Sequence, residues 1–172
     1  PADPADPARF DRIRTALLRA REVRVQPSRD DKVVTGWNAM TITALAEVGA
    51  GLGRAEWVEL ATWCAEQLIE QHIVDGELRR SSLGGVVGTP AAALDDHAAL
   101  VVALFTLHQV TGDIRWRTAA LTLLDTTIAT FADVGEPGSW FDAAAAQGLI
   151  VRPRDPVDGA TPSGASLLAE AL

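Results

Sequence analysis

The chain has 172 residues, which is enough for one ordinary domain and its core and too few for two domains to be expected. With 15 basic residues against 23 acidic ones the net charge is -8, and no basic patch offsets it, so nucleic acid and anionic membrane are repelled. The 48 % of hydrophobic residues are mostly Ala, Leu and Val, with five Trp, four Phe and no Tyr, a composition that suits packed helices and disfavours an all-β fold.

Cys64 is the only cysteine, so no disulfide forms within the chain, and its apolar helical setting predicts a small core residue. No run of about 20 apolar residues is present, and PADPADPARF is not a basic region followed by an apolar one. A soluble cytoplasmic protein is the simplest expectation.

In chain order, residues 1–8 read as an extended leader and 9–172 as a segment of one helical domain. ARFDRIRTALLRARE places Phe10, Ile13, Leu17 and Leu18 on one helical stripe. VRVQPSRDDKVVT breaks that period and reads as a loop. From Trp37 to Leu52 the chain is apolar almost all round, which predicts a helix buried on several sides and closed by Gly53. AEWVELATWCAEQLIEQHI alternates apolar and acidic residues, as a one-sided outer helix does.

The plan then repeats. LDDHAALVVALFTLHQVTG is apolar and closes at Gly112, and DIRWRTAALTLLDTTIATF is its more polar partner. A shift of 59 residues lays Gly53 on Gly112, Trp57 on Trp116 and Leu45 on Leu104. Short β-like pieces follow each outer helix, at 77–81 and 139–142. A third inner helix begins at Pro162 with Thr161 as its cap, and it stops at Leu172 in mid-pattern. The repeat exceeds the roughly 34 residues of tetratricopeptide and 40 to 47 of HEAT units. Its extra length lies in the loops after the outer helices, which favours an all-α, partial α/α toroid of about three hairpins.

In a toroid the inner helices run parallel and their starts gather at one rim. Before the first stand Arg29, Asp30, Asp31, Lys32, Trp37 and Asn38, at the start of the second Asp95, Asp96 and His97, and before the third Arg152, Asp155, Asp158, Thr161 and Ser163. With Trp140 these offer ring stacking and charged hydrogen bonds, as a polyhydroxylated, carbohydrate-like ligand requires. Asp31, Asp96, His97 and Asp158 are the candidates for acid–base work; a hydrolase would need one carboxyl protonated and one ionised. Each residue also has an ordinary explanation. Asp95, Asp158 and Thr161 suit helix caps, Asp30 and Asp31 a solvated turn, and His97 a satisfied first-turn histidine, while His72 and His108 read as plain helix residues. Trp57, Trp63 and Trp116 suit outer-helix packing. No GxGxxG, GxxxxGK, HExxH, CxxC or GxSxG occurs, so neither metal nor cofactor is expected, and the Asp pairs do not extend to DDxxD.

DDKVVTGWNAM (30–40), LDDHAAL (94–100), TGDIRW (111–116) and IVRPRDPVDGATPSGAS (150–166) resemble, in order and spacing, one family. It is the thioredoxin-domain-containing proteins related to spermatogenesis-associated protein 20, called DUF255 proteins in bacteria. The resemblance covers residues 9–172 and implies a thioredoxin-like domain followed by a six-hairpin α/α toroid similar to N-acylglucosamine 2-epimerases and glycosidases, of which this chain matches the later part. His97 stands where that pattern has an aromatic and Ala165 where it has Asn. Epimerases of this architecture use pocket histidines as acid and base, and here His97 alone stands at the rim.

Three readings have distinct consequences. A polar small-molecule pocket at the rim leads, with catalysis by this chain alone not expected, and with self-association or pairing with the rest of the ring expected from the open arc. A helical scaffold would leave Asp31, Asp96 and Asp158 apart and solvated. A retained hydrolase or isomerase site would bury one of those carboxyls with a raised pKa.

Overall fold

The computed structural model describes residues 6–172, in two units of which the first ends at Asp31 and the second is Lys32–Leu172. Most of the expected leader lies outside the described residues, and its last two positions are already helical in α1, Pro7–Glu22. Asp6 caps that helix by accepting from the Ala8 and Arg9 N–H groups at 3.0 and 3.2 Å, and Pro7 at the first position has no N–H to leave unpaired. Phe10, Ile13, Leu17 and Leu18 all lie exposed.

In the second unit, β1 (Lys32–Val34) leads into α2 (Thr35–Gly51), and α3 (Ala55–His72) returns. Four short strands follow: β2 (Ile73–Val74), β3 (Glu77–Leu78), β4 (Ser81–Leu83) and β5 (Val86–Val87). Then come α4 (Leu94–Thr111), α5 (Ile114–Phe131), a single 3-10 turn at Ala145–Gln147 and α6 (Gly164–Ala171). The repeat holds to the residue at the helix starts: Thr35 to Leu94 and Ala55 to Ile114 are both 59 apart. Two full hairpins and the inner helix of a third therefore form an arc of an α/α toroid.

Each helix is buried as its neighbours dictate. α4 sits between α2 and α6 with α5 against its outer side, so it is buried almost all round, with Leu94, Leu100, Val101, Leu104 and Leu107 sealed. α3 and α5 bury one face only, through Ala61, Ala65 and Leu68 and through Trp116, Ala120, Leu124 and Phe131. α2 departs from the expectation of burial on several sides. Ala39, Ile42, Ala46 and Gly49 are buried, whereas Trp37, Thr41, Ala44 and Val48 form an exposed face, because α2 has an inner-helix neighbour on one side only. Cys64 is half-buried against the core, and burial raises its thiol pKa.

The loop expected before Trp37 contains a strand, since Lys32, Val33 and Val34 pair antiparallel with Leu83, Ser82 and Ser81. That pairing is long-range and leaves no local signature beyond two β-branched residues. Conversely, the β-like piece at 139–142 is a single bridge from Trp140 to Ala132. His72, read as a plain helix residue, joins three elements. Thr35 Oγ1 donates to the Arg79 carbonyl at 2.6 Å and lies 2.7 Å from His72 Nδ1, so it accepts there, and His72 Nε2 accepts from Ser82 Oγ at 2.9 Å. Burial lowers the pKa of this ring. The joint fixes the turn that carries Arg80.

Two glycines let the inner helices crowd at their starts. A Cβ on Gly36 would stand 3.0 Å from Asp96 Oδ1, and one on Gly164 would stand 2.8 Å from Leu94 Cγ and 2.9 Å from the Asp95 nitrogen. Gly164→Ala is expected to destabilise the chain by about 1–3 kcal/mol in urea unfolding, the usual cost of overpacking against backbone. Gly159→Ala, where the added carbon meets nothing within 4 Å, is the control.

Candidate functional site at the inner-helix rim

Asp95, Asp96 and His97 are consecutive residues of the first turn of α4, and about 100° of helical rotation per residue sends them in three directions. Asp96 points toward α2. It is fully buried, its Oδ1 accepts from the Gly36 N–H at 2.9 Å, and its Oδ2 accepts from the Ala93 N–H at 3.0 Å and from Arg80 Nη1 at 2.7 Å. It thus closes the first turn of its own helix and caps the start of α2. Burial raises its pKa, with the two backbone N–H groups and Arg80 opposing that shift and Asp95 adding to it.

Asp95 points to the rim. It is about half exposed and sits 3.3 Å from the same Arg80 Nη1. Beside it an open cleft of about 370 Å³ is lined by Arg80, Asp95, Asp142, Asp155, Thr161 and Ser163, among others. The backbone positions these groups: Arg80 is held through its N–H to the Pro90 carbonyl and its carbonyl to the Thr35 N–H. Asp142 accepts from the Leu94 N–H through its own carbonyl and donates to that of Pro153. Partial burial raises the Asp142 carboxyl pKa; the Asp155 N–H works against this and the Asp155 and Asp95 charges add to it. The cleft therefore combines three carboxyl groups, of which that of Asp142 is raised, with one guanidinium.

Of the residues singled out in the sequence, the cleft brings together Asp95, Asp155, Thr161 and Ser163. Arg80 and Asp142 join them unforeseen: each lies in a loop piece with no periodic pattern, and only the strand pairings and turns deliver them. Ser163, not Thr161, caps α6, accepting from the Ser166 N–H at 3.1 Å. Asp158 is exposed and accepts from the Ser163 N–H at 2.8 Å, a bond that holds its carboxyl below the ordinary range. Trp37 is 64 % exposed on α2, and Asn38 donates to the Val34 carbonyl at 2.8 Å. Trp140 is half-buried against the core. Arg152 donates to the Ala143 and Thr130 carbonyls at 2.9 and 3.1 Å and lies over the Phe141 ring, which makes it a clamp on the loop. In the first unit Arg29 pairs with Asp31 and Asp30 is exposed, while Lys32 opens β1 of the second.

His97 points away from the cleft toward α5. It is 6 % exposed, its Nδ1 lies 3.2 Å from Thr127 Oγ1, and its ring meets Phe131 edge to face at 5.1 Å. Burial lowers its pKa to about 4, with Asp95 pulling weakly the other way. Among the described residues no group of three or more His, Cys, Asp or Glu side chains could hold a metal ion, and no helix is long and apolar enough to cross a membrane.

No family model matches the chain. It is 32 % identical over 168 residues to human spermatogenesis-associated protein 20, an alignment covering 91 % of this chain and 21 % of that protein. It is 28 % identical over 170 residues to an uncharacterised protein of Caenorhabditis elegans, covering 95 % and 23 %. The chain thus spans about a fifth of the length of the curated relatives it matches. Among solved structures, a GH76 α-mannanase of Bacteroides thetaiotaomicron superimposes with a TM-score of 0.59 at 15 % identity, over 69 % of this chain and 34 % of that one. The chain is therefore homologous to one stretch of spermatogenesis-associated protein 20 and folds as an arc of an α/α toroid of the kind that the mannanase contains.

Proposed function

We propose that this arc is part of the toroid of a thioredoxin-domain-containing protein of the DUF255 type, and that its inner-helix rim binds a carbohydrate-like polar small molecule. The observation that carries the reading is the convergence of Arg80, Asp95, Asp142, Asp155 and Ser163 on one open cleft. A guanidinium flanked by carboxylates offers donors and acceptors spaced for vicinal hydroxyls. In this reading Asp96 builds the rim and Asp95 meets the ligand.

The test is a thermal-shift and calorimetric screen of mono- and disaccharides against the parent, Asp95→Asn and Asp142→Asn. A sugar is expected to raise the melting temperature of the parent and to lose that effect in both variants. Asp95→Asn alone should change stability by no more than about 0.5 kcal/mol, as a half-exposed ion pair contributes little. No shift with any sugar in a folded parent sinks the pocket and leaves the helical scaffold. A second reading, a retained acid–base site, is favoured by two observations. Asp96 is buried with a raised pKa, as that reading requires, though its oxygens are taken up by Gly36, Ala93 and Arg80. The raised Asp142 carboxyl faces the cleft beside the Asp155 charge. It requires turnover of an aryl glycoside by the chain and its loss in Asp142→Asn.

A further inference from the structure

A cavity of about 540 Å³ lies on the outer side of α4, between α3 and α5. That volume falls within the roughly 300–1,000 Å³ of small-molecule sites. Ile69 and Leu123 form its walls, Leu100 and Leu104 its apolar floor, and Phe131 closes one end. One polar group of the floor belongs to α4. Thr127 Oγ1 gives its single hydrogen to the Leu123 carbonyl at 2.7 Å, so toward His97 Nδ1 it accepts, and the imidazole carries its hydrogen on Nδ1. Nε2 is then a bare acceptor, without a hydrogen-bond partner among the described residues, on a ring 94 % buried in the cavity lining. The lowered pKa keeps that ring neutral at pH 7. Glu77, also in the lining, pairs with Arg79 at 3.2 Å and disfavours an anionic occupant.

We propose that this cavity binds a neutral, mostly apolar small molecule carrying one hydrogen-bond donor, which is presented to His97 Nε2. An apolar wall of this size in contact with water is unfavourable, and one such molecule covers it while donating to the ring nitrogen of His97 that has no partner among the described residues. Nothing in the inference depends on the rim cleft, from which His97 points away.

Indole and N-methylindole are suitable probes, since they share a ring system and differ in the N–H donor. In the intact chain indole is expected to bind roughly two- to tenfold tighter than N-methylindole, and to move the His97 Nε2 nitrogen resonance. His97→Phe keeps the ring and removes the acceptor, so it should bind both probes equally. Ala119→Phe fills the cavity from α5 and should bind neither, and Thr122→Phe, at an exposed lining position, repeats that test without touching the core. The proposal is overturned by a folded parent that binds neither probe at millimolar concentration, or by equal binding with an unmoved Nε2 resonance. It is equally overturned by self-association that Thr122→Phe abolishes with no indole binding, which would assign the cavity to a second copy.

Discussion

Asp96→Ala is expected to destabilise the second unit by about 3 kcal/mol, the cost of stranding the buried Gly36 N–H and the part-buried Ala93 N–H at about 1–3 kcal/mol each with some relaxation. Gly36 and Ala93 would lose their acceptor at the junction of two helix starts. Arg80 adds little to this cost, because its side chain is 43 % exposed and recovers water. Asp96→Asn should be nearly as harmful. An amide has one acceptor oxygen, and if that oxygen keeps Gly36 its NH2 faces two other donors, the Ala93 N–H and the Arg80 guanidinium. Equilibrium urea unfolding of the parent, both variants and Asp95→Asn decides the matter. A loss below about 0.5 kcal/mol in Asp96→Asn, the size of an ordinary surface change, would show that the rim is not held through this carboxylate, and its raised pKa would then point to chemistry instead.

The same residue shows what the sequence could and could not reveal. The 59-residue repeat was legible because it rests on the apolar period of each helix and on Gly112, whose φ of 70° places it in the left-handed region where glycine is at ease. The helix starts coincide under that shift, so the hairpins and the parallel inner helices follow from sequence alone. The DD pair at 95 and 96 was equally visible. Its division of labour was not, because one residue of helical rotation separates a rim carboxylate from a buried staple, and the staple's partner is Gly36, a residue with no side chain to advertise it. His97 was expected at the rim for the same reason and is carried by one more step to the far side. Arg80 and Asp142 lie where turns and single bridges set direction, and such pieces carry no period from which a facing can be read. The exposed face of α2 shows the converse limit, since an all-apolar helix says that it can be covered on every side and not which neighbours do so.

His97 should also write itself into the pH dependence of stability. Its pKa falls from an ordinary 6.5 in the unfolded chain to about 4 in the fold, so between those values the unfolded state binds more protons than the folded one. The stability that comes with the neutral ring is fully present above pH 6.5 and is lost as pH falls toward 4, where the deficit reaches about 3 kcal/mol at 1.36 kcal/mol per unit. His72, also lowered by burial, acts with the same sign. Asp96 and Asp142 act with the opposite sign: their folded pKa values lie above 3.8, so the penalty for holding them ionised is relieved as pH falls. Asp158, held below the ordinary range, acts with the sign of His97, so the parent curve alone mixes five groups, and the difference between the parent and His97→Phe isolates one. Urea unfolding at pH 7, 5.5 and 4 should show the parent losing about 3 kcal/mol more than the variant across that range, the loss being concentrated below pH 6.5. Parallel curves, or a His97 ring that titrates near its ordinary value by NMR, would mean that the imidazole is reached by water, and both its tautomer and its place on the cavity floor would have to be abandoned.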